Sequence, residues 1–163
     1  MSLNSEEAFK LFYESHASKV RGLLFRLVGE ASLSDLTQET FMKAWEYRER
    51  FRGESEASTW LYRIAYNCAV DFLRRSGKAR ENLQIDLVTD TLEKNISDKE
   101  IANLALKSLD IEHRAVAVLF YIEDQPIKDI AVILELPEGT VKSRLNHARN
   151  KMSEVLTKKG VKL

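Results

Sequence analysis

Apolar residues recur along this chain at the three-to-four-residue spacing of helices buried on one side. Across Glu6–Val28 the apolar positions are Phe9, Phe12, Tyr13, Val20, Leu23, Leu24 and Leu27. Asn4, with Glu7 three residues later, predicts a capping-box start, and Gly29 predicts the stop. A second helix is predicted from Leu33 to Arg50, with Ser32 and Asp35 as its start signal, and a third from Thr59 to Arg75, ended by Ser76-Gly77-Lys78. Between them Arg52-Gly53-Glu54-Ser55-Glu56-Ala57-Ser58 reads as a polar loop. Residues 78–100 break the pattern: they are acidic, lack large aromatics, and scatter Leu83, Ile85, Leu87, Val88 and Leu92 without a period. Helical spacing returns from about Lys99. The expectation is an all-α chain of two small helical domains, residues 1–80 and 105–163, joined by a linker over 81–104.

The rear domain carries the sharpest local pattern. Ile127, Ile130, Ala131 and Leu134 share one helical face, and Glu135-Leu136-Pro137-Glu138-Gly139 interrupts them. Pro137 suits the opening of a new helix. After it Val141, Leu145, Ala148, Met152 and Val155 form another stripe, so the pair reads as a helix-turn-helix. Opposite that stripe project Ser143, Asn146, His147 and Asn150, with Lys142 and Arg149 along one edge, Arg144 and Lys151 along the other, and Thr140 near the start. Central hydrogen-bonding groups between cations suit base edges between phosphates. The competing interpretation is an ordinary solvated face. The Pro-Gly turn, the acidic helix beside it and the absence of Asp or Glu between Lys142 and Lys151 weigh against that. A lone imidazole at His147 is not read as a metal ligand.

Overall charge changes this picture only when it is divided. The 163 residues carry 25 Lys or Arg and 25 Asp or Glu, yet residues 138–163 hold seven of the former and two of the latter, while 108–137 hold two and six. A neutral chain thus ends in a basic block, and it is the local field that a phosphate backbone meets. Six glycines and two prolines leave few helix breakers. Cys68 is the single cysteine, which rules out an internal disulfide and a cysteine zinc cluster. The polar, acidic start and the lack of any membrane-length apolar run predict no membrane insertion and a cytoplasmic location. No Walker loop, dinucleotide fingerprint, HExxH or nucleophile elbow is found, so neither an enzyme nor a cofactor or metal is expected.

Two faces of the front domain remain. On the second helix, DLTQETFMKAW (35–45), Asp35, Gln38, Glu39 and Met42 share an acidic, polar side with Trp45 at its margin. A protein-binding hot spot has that composition; so does a solvated face with its Trp in the core. The third helix, TWLYRIAYNCAVDFLRR (59–75), is apolar on most sides and keeps a polar strip of Trp60, Arg63, Asn67, Asp71, Arg74 and Arg75. Aromatic and cationic groups on one strip suit single-stranded DNA, while aromatics in small domains more commonly pack inward.

These residues resemble a known family. GTVKSRLNHARNKM (139–152), preceded by IKDIAVILELPE (127–138), looks like region 4.2 of the sigma-70 family, in particular its extracytoplasmic-function (ECF) RNA polymerase sigma factors. His147 stands where that pattern often has arginine, so an altered base preference is expected. The 35–45 stretch resembles region 2.2, which docks on the clamp helices of the largest polymerase subunit; the resemblance implies Asp35, Gln38, Glu39, Met42 and Trp45 as docking residues. The 59–75 stretch resembles regions 2.3 and 2.4, which melt and capture the −10 strand. It implies Ser58, Trp60, Arg63, Asn67, Arg74 and Arg75 as −10 residues, with Arg52 in the loop that would hold a flipped base. Thr140, Lys142, Ser143, Arg144, Asn146, His147, Arg149 and Asn150 would contact the −35 duplex. Nothing resembles region 1.1 or a folded region 3, as in the ECF group. The implied partners are core RNA polymerase, promoter DNA (double-stranded at −35, single-stranded at −10) and an anti-sigma factor. A helix-turn-helix regulator acting without polymerase, and a helical protein-binding adaptor, are the alternatives.

Overall fold

The structure is a computed structural model that describes residues 2–77 and 98–160. Those residues form seven α-helices and no strand, as the periodicity predicts. In chain order they are α1 (Glu6–Val28), α2 (Leu33–Tyr47), α3 (Ala57–Arg75), α4 (Asp98–Lys107), α5 (Ile111–Ala117), α6 (Ile127–Leu134) and α7 (Glu138–Lys158). Most of the expected linker, residues 81–97, lies outside the described residues, and α4 begins within the remainder.

The first helix runs between its predicted ends, but its cap is Ser5 rather than Asn4: the Ser5 hydroxyl accepts from the Ala8 amide at 3.1 Å. At the far end Gly29 adopts φ 83°, a left-handed conformation that suits glycine, and its amide bonds the Phe25 carbonyl. The second helix is shorter than predicted, because Arg48–Arg50 tighten into a 3-10 turn.

α1, α2 and α3 pack against one another around Phe12, Val20, Leu23, Leu24, Leu27, Leu36, Phe41, Leu61, Ala65 and Cys68. In the rear half α5 and α6 pack on α7 through Val116, Leu119, Ile130, Ile133, Val141, Leu145 and Ala148. Ile133 is fully buried although it lies off the stripe read from the sequence, because α6 is sandwiched between α7 and α3. The apolar cluster runs unbroken from the front helices into the rear ones.

Two features shape the rear half. A π-helical turn, Val118–Ile122, follows α5, and the Glu123 amide reaches back five residues to the Val118 carbonyl at 3.0 Å. The second is Arg114, 1% exposed and hydrogen-bonded to carbonyls. Its guanidinium donates to the carbonyls of Leu27 (2.8 Å), Leu106 (3.0 Å), Leu109 (2.5 Å) and Lys107 (3.4 Å). Burial lowers its pKa to about 10, so it stays cationic at neutral pH. It thereby serves carbonyls at the ends of α1 and α4, of which that of Leu106 also accepts from the Leu109 amide at 3.1 Å.

Candidate nucleic-acid interface

The helix-turn-helix is built as its pattern requires. α6 ends at Glu135, whose φ of 55° gives the left-handed turn usually left to glycine or asparagine. Pro137 then caps α7 from just outside the first turn. Val141, Leu145 and Ala148 are buried beneath α7. Lys142, Ser143, Asn146, His147, Arg149 and Asn150 are exposed, and Thr140 and Arg144 half-buried, so none of the eight candidate duplex-binding residues is interior.

They are not equally free. The first turn of α5 engages one edge of α7. Arg144 Nη2 lies 3.3 Å from Glu112 Oε2, and the His147 ring stacks on His113 with centroids 4.4 Å apart. Asp110 caps α5, accepting from the His113 amide at 3.0 Å and holding its Nδ1 at 2.7 Å. Burial works against the Asp110 charge, but these His113 hydrogen bonds outweigh it and keep the carboxyl below its ordinary range. Thr140, Lys142, Ser143, Asn146, Arg149 and Asn150 have no such tie to α5.

On α3, Arg63, Asn67, Arg74 and Arg75 are exposed. From Arg63 to Arg74 the strip runs about 16 Å along the helix. Trp60 is half-buried, its ring 5.1 Å from Phe51 and 6.3 Å from Phe12. Packing therefore takes part of the surface that sequence reasoning offered to bases. Arg52 is exposed in the preceding loop, and Ser58 is half-buried. Arg63 forms an ion pair with Glu135, and Arg74 lies 3.9 Å from Asp71.

The candidate docking face lies along α2. Asp35, Gln38 and Met42 are exposed, Met42 by 57%. Trp45 is half-buried, edge-on to Phe9 at 5.0 Å with the Arg48 guanidinium 3.7 Å over its ring. Phe9, Tyr13, Gln38, Phe41, Met42 and Trp45 line one open groove between α1 and α2. Phe9 and Tyr13 were missed by sequence reasoning because both read as core of the first helix. Glu39 is tied to Lys43 at 2.9 Å and reaches Arg75 at 4.0 Å. Among the described residues no helix is long and apolar enough to cross a membrane, and no cluster of three metal-ligating side chains occurs.

A helical front unit with an apolar-rimmed groove and a rear helix-turn-helix define a two-part, all-α DNA-binding protein. The Sigma-70 region 2 model matches residues 12–79 and the Sigma-70, region 4 model matches residues 99–152. The chain is 35% identical over 160 residues to the ECF RNA polymerase sigma-E factor of Haemophilus influenzae, covering 88% of this chain and 85% of that one. It is 31% identical to the sigma-E factor of Escherichia coli K12, covering 88% and 84%. Among solved structures, the sigma factor RpoE in complex with the anti-sigma factor NepR from Bartonella quintana superimposes with a TM-score of 0.74. That match has 28% identity over 91% of this chain and 96% of the other. CnrH, in complex with the cytosolic domain of CnrY, shares the fold with a TM-score of 0.71 and 24% identity, over 96% of this chain and 92% of that one. The chain belongs to the ECF sigma factors of the sigma-70 family, whose members direct RNA polymerase to promoters.

Proposed function

We propose that residues 1–80 dock on the polymerase clamp helices and capture the −10 strand, that 81–104 tether the two parts, and that 105–163 read the −35 duplex. The observation that carries this division is the exposed side of α7: polar groups at its centre and cations at its edges, held over buried Val141, Leu145 and Ala148. Lys142 and Arg149 meet phosphates, and Ser143, Asn146 and Asn150 meet base edges. Arg144 and His147, already engaged by α5, have fixed orientations and contribute shape more than reach. The Trp45 edge and exposed Met42 form the docking contact, with Asp35, Gln38 and Glu39 as its polar rim.

On α3, Arg63, Asn67, Arg74 and Arg75 hold the separated strand, with Trp60 offering one edge and Arg52 and Ser58 framing the loop. Binding energy for unpaired bases draws the duplex open. The chain itself makes and breaks no covalent bond, works in the cytoplasm, and is restrained by an anti-sigma partner, as the pairing of RpoE with NepR suggests.

Transcription from −35/−10 promoters with added core polymerase tests the reading. In Lys142→Ala/Arg149→Ala the slope of log affinity against log salt should fall by roughly 2, since each phosphate contact contributes about 0.9. An unchanged slope would remove α7 from the duplex.

A further inference from the structure

His113 lies outside α7, yet it touches one of the residues assigned above to the −35 duplex. It sits in the first turn of α5 with its side chain 21% exposed. Its ring lies against the exposed ring of His147, with centroids 4.4 Å apart and planes tilted by 43°. Asp110 anchors it through Oδ1, which is 2.7 Å from His113 Nδ1 and 3.0 Å from the His113 amide. Burial opposes the Asp110 charge, but the hydrogen bonds from His113 prevail and keep the carboxyl ionised at neutral pH. A carboxylate only accepts, so the hydrogen of this contact belongs to His113 Nδ1.

The turn that carries His113 is itself firmly seated. Its next residue is Arg114, buried and bonded to carbonyls of α1 and α4. Its preceding residue, Glu112, meets Arg144 at 3.3 Å, so two consecutive residues of α5 grip α7 one turn apart. An exposed histidine on a helix ordinarily has broad freedom about the bond to its ring. The hydrogen bonds of an imidazole lie in the ring plane, so that plane decides which base-pair edge its nitrogens can meet. A plane set before binding spares rotamer freedom that binding would otherwise remove.

We propose that His113 is a positioning residue for −35 recognition: by stacking on His147 it fixes the plane in which that imidazole meets a base pair, and so sets base choice at that one position without touching DNA. This inference rests on the assignment of α7 to the duplex made above. The contact works through ring surface, so phenylalanine can stand in for His113. It works through His147, so it has no effect once that ring is gone.

The test uses the full chain with core polymerase and a promoter library randomised over the −35 element. The base pair whose preference His147→Ala abolishes is the one that His147 reads. His113→Ala should weaken preference at that pair by about 2- to 10-fold, the range one aromatic contact commands, and leave the other positions alone. His113→Phe should keep the parent's preference, and adding His113→Ala to His147→Ala should change nothing further. Preference unaltered in His113→Ala, or weakened alike at every position, would overturn the proposal. So would loss of the preference in His113→Phe, or a further loss in the double variant. If His147→Ala abolished no preference while Lys142→Ala/Arg149→Ala still lowered the salt slope, the proposal would fall and α7 would keep its place on the duplex. If neither changed, the reading of α7 itself would fall.

Discussion

Replacing Arg114 with leucine gives the most demanding test of the packing described here. Leucine approximates the apolar part of the side chain but removes every donor. Four carbonyls then lose a donor; three of those hydrogen bonds are buried, and because the Leu106 carbonyl keeps the Leu109 amide at 3.1 Å, two buried acceptors, Leu27 and Leu109, are left bare. A buried acceptor left unsatisfied costs about 1–3 kcal/mol. Two such losses total roughly 2–6 kcal/mol, reduced by no longer desolvating a cation, so a net loss of about 3 kcal/mol is expected. With a urea m-value of about 2 kcal/mol/M, the unfolding midpoint followed by circular dichroism should fall by about 1.5 M. Arg114→Lys keeps the charge but loses the planar fork, and should fall between parent and leucine variant. A leucine variant within about 1 kcal/mol of the parent would refute the role given to these carbonyl contacts, since an orphaned acceptor alone costs that much.

Four further outcomes are expected. Met42→Ala, which touches little of the core, should weaken core-polymerase binding in a pull-down titration by roughly 10-fold or more, as loss of an interface anchor does; unimpaired binding would move the docking face elsewhere. Ser5→Ala should cost about 1 kcal/mol of stability through loss of the α1 cap, whereas Asn4→Ala should cost little. Asp110→Ala should cost about 1 kcal/mol near neutral pH, and the gap should close in acid. Because the folded carboxyl is held below its ordinary value of 3.8, its contribution is full above that pH and is lost as pH falls through the lower folded value. Cys68, fully buried and with its thiol pushed up chiefly by burial, should resist alkylation in the native protein and react once unfolded, as a thiol count with and without urea would show.

Helix positions were largely legible because each helix buries one stripe against a core, and that requirement repeats every three to four residues. Phe12, Val20 and Leu23 on α1, or Val141, Leu145 and Ala148 on α7, declare themselves in this way. Ends were less legible. Ser5 and Asn4 are equally good caps on paper, and only backbone geometry chooses between them. The left-handed Glu135 has no signature, because the turn imposes its conformation on an unfavoured residue. Contacts between distant parts left no trace in any periodicity: nothing along the chain pairs Arg63 with Glu135 or sends Arg114 to Leu27. The single cation at the head of Ala115–Leu119 was the available hint, since an arginine beside a fully apolar run must find acceptors or face outward. The candidate duplex-binding face was readable because solvent exposure has a period too, but the diversion of Arg144 and His147 toward α5 was not.

The π-turn at Val118–Ile122 also bears on how such a chain tolerates length changes. It winds one residue more into the coil than an α-helix would, turning everything downstream by about 100° relative to a regular continuation. Glu123 meets the Tyr62 hydroxyl only with that surplus in place. Removing a single amino acid here would spin α6 and α7 about the axis of α5 and misdirect both. An insertion in the polar segment after Phe51 would leave them untouched. What looks like a minor irregularity therefore works as a phasing element, and this stretch should be the least forgiving of deletions although it contacts no candidate ligand.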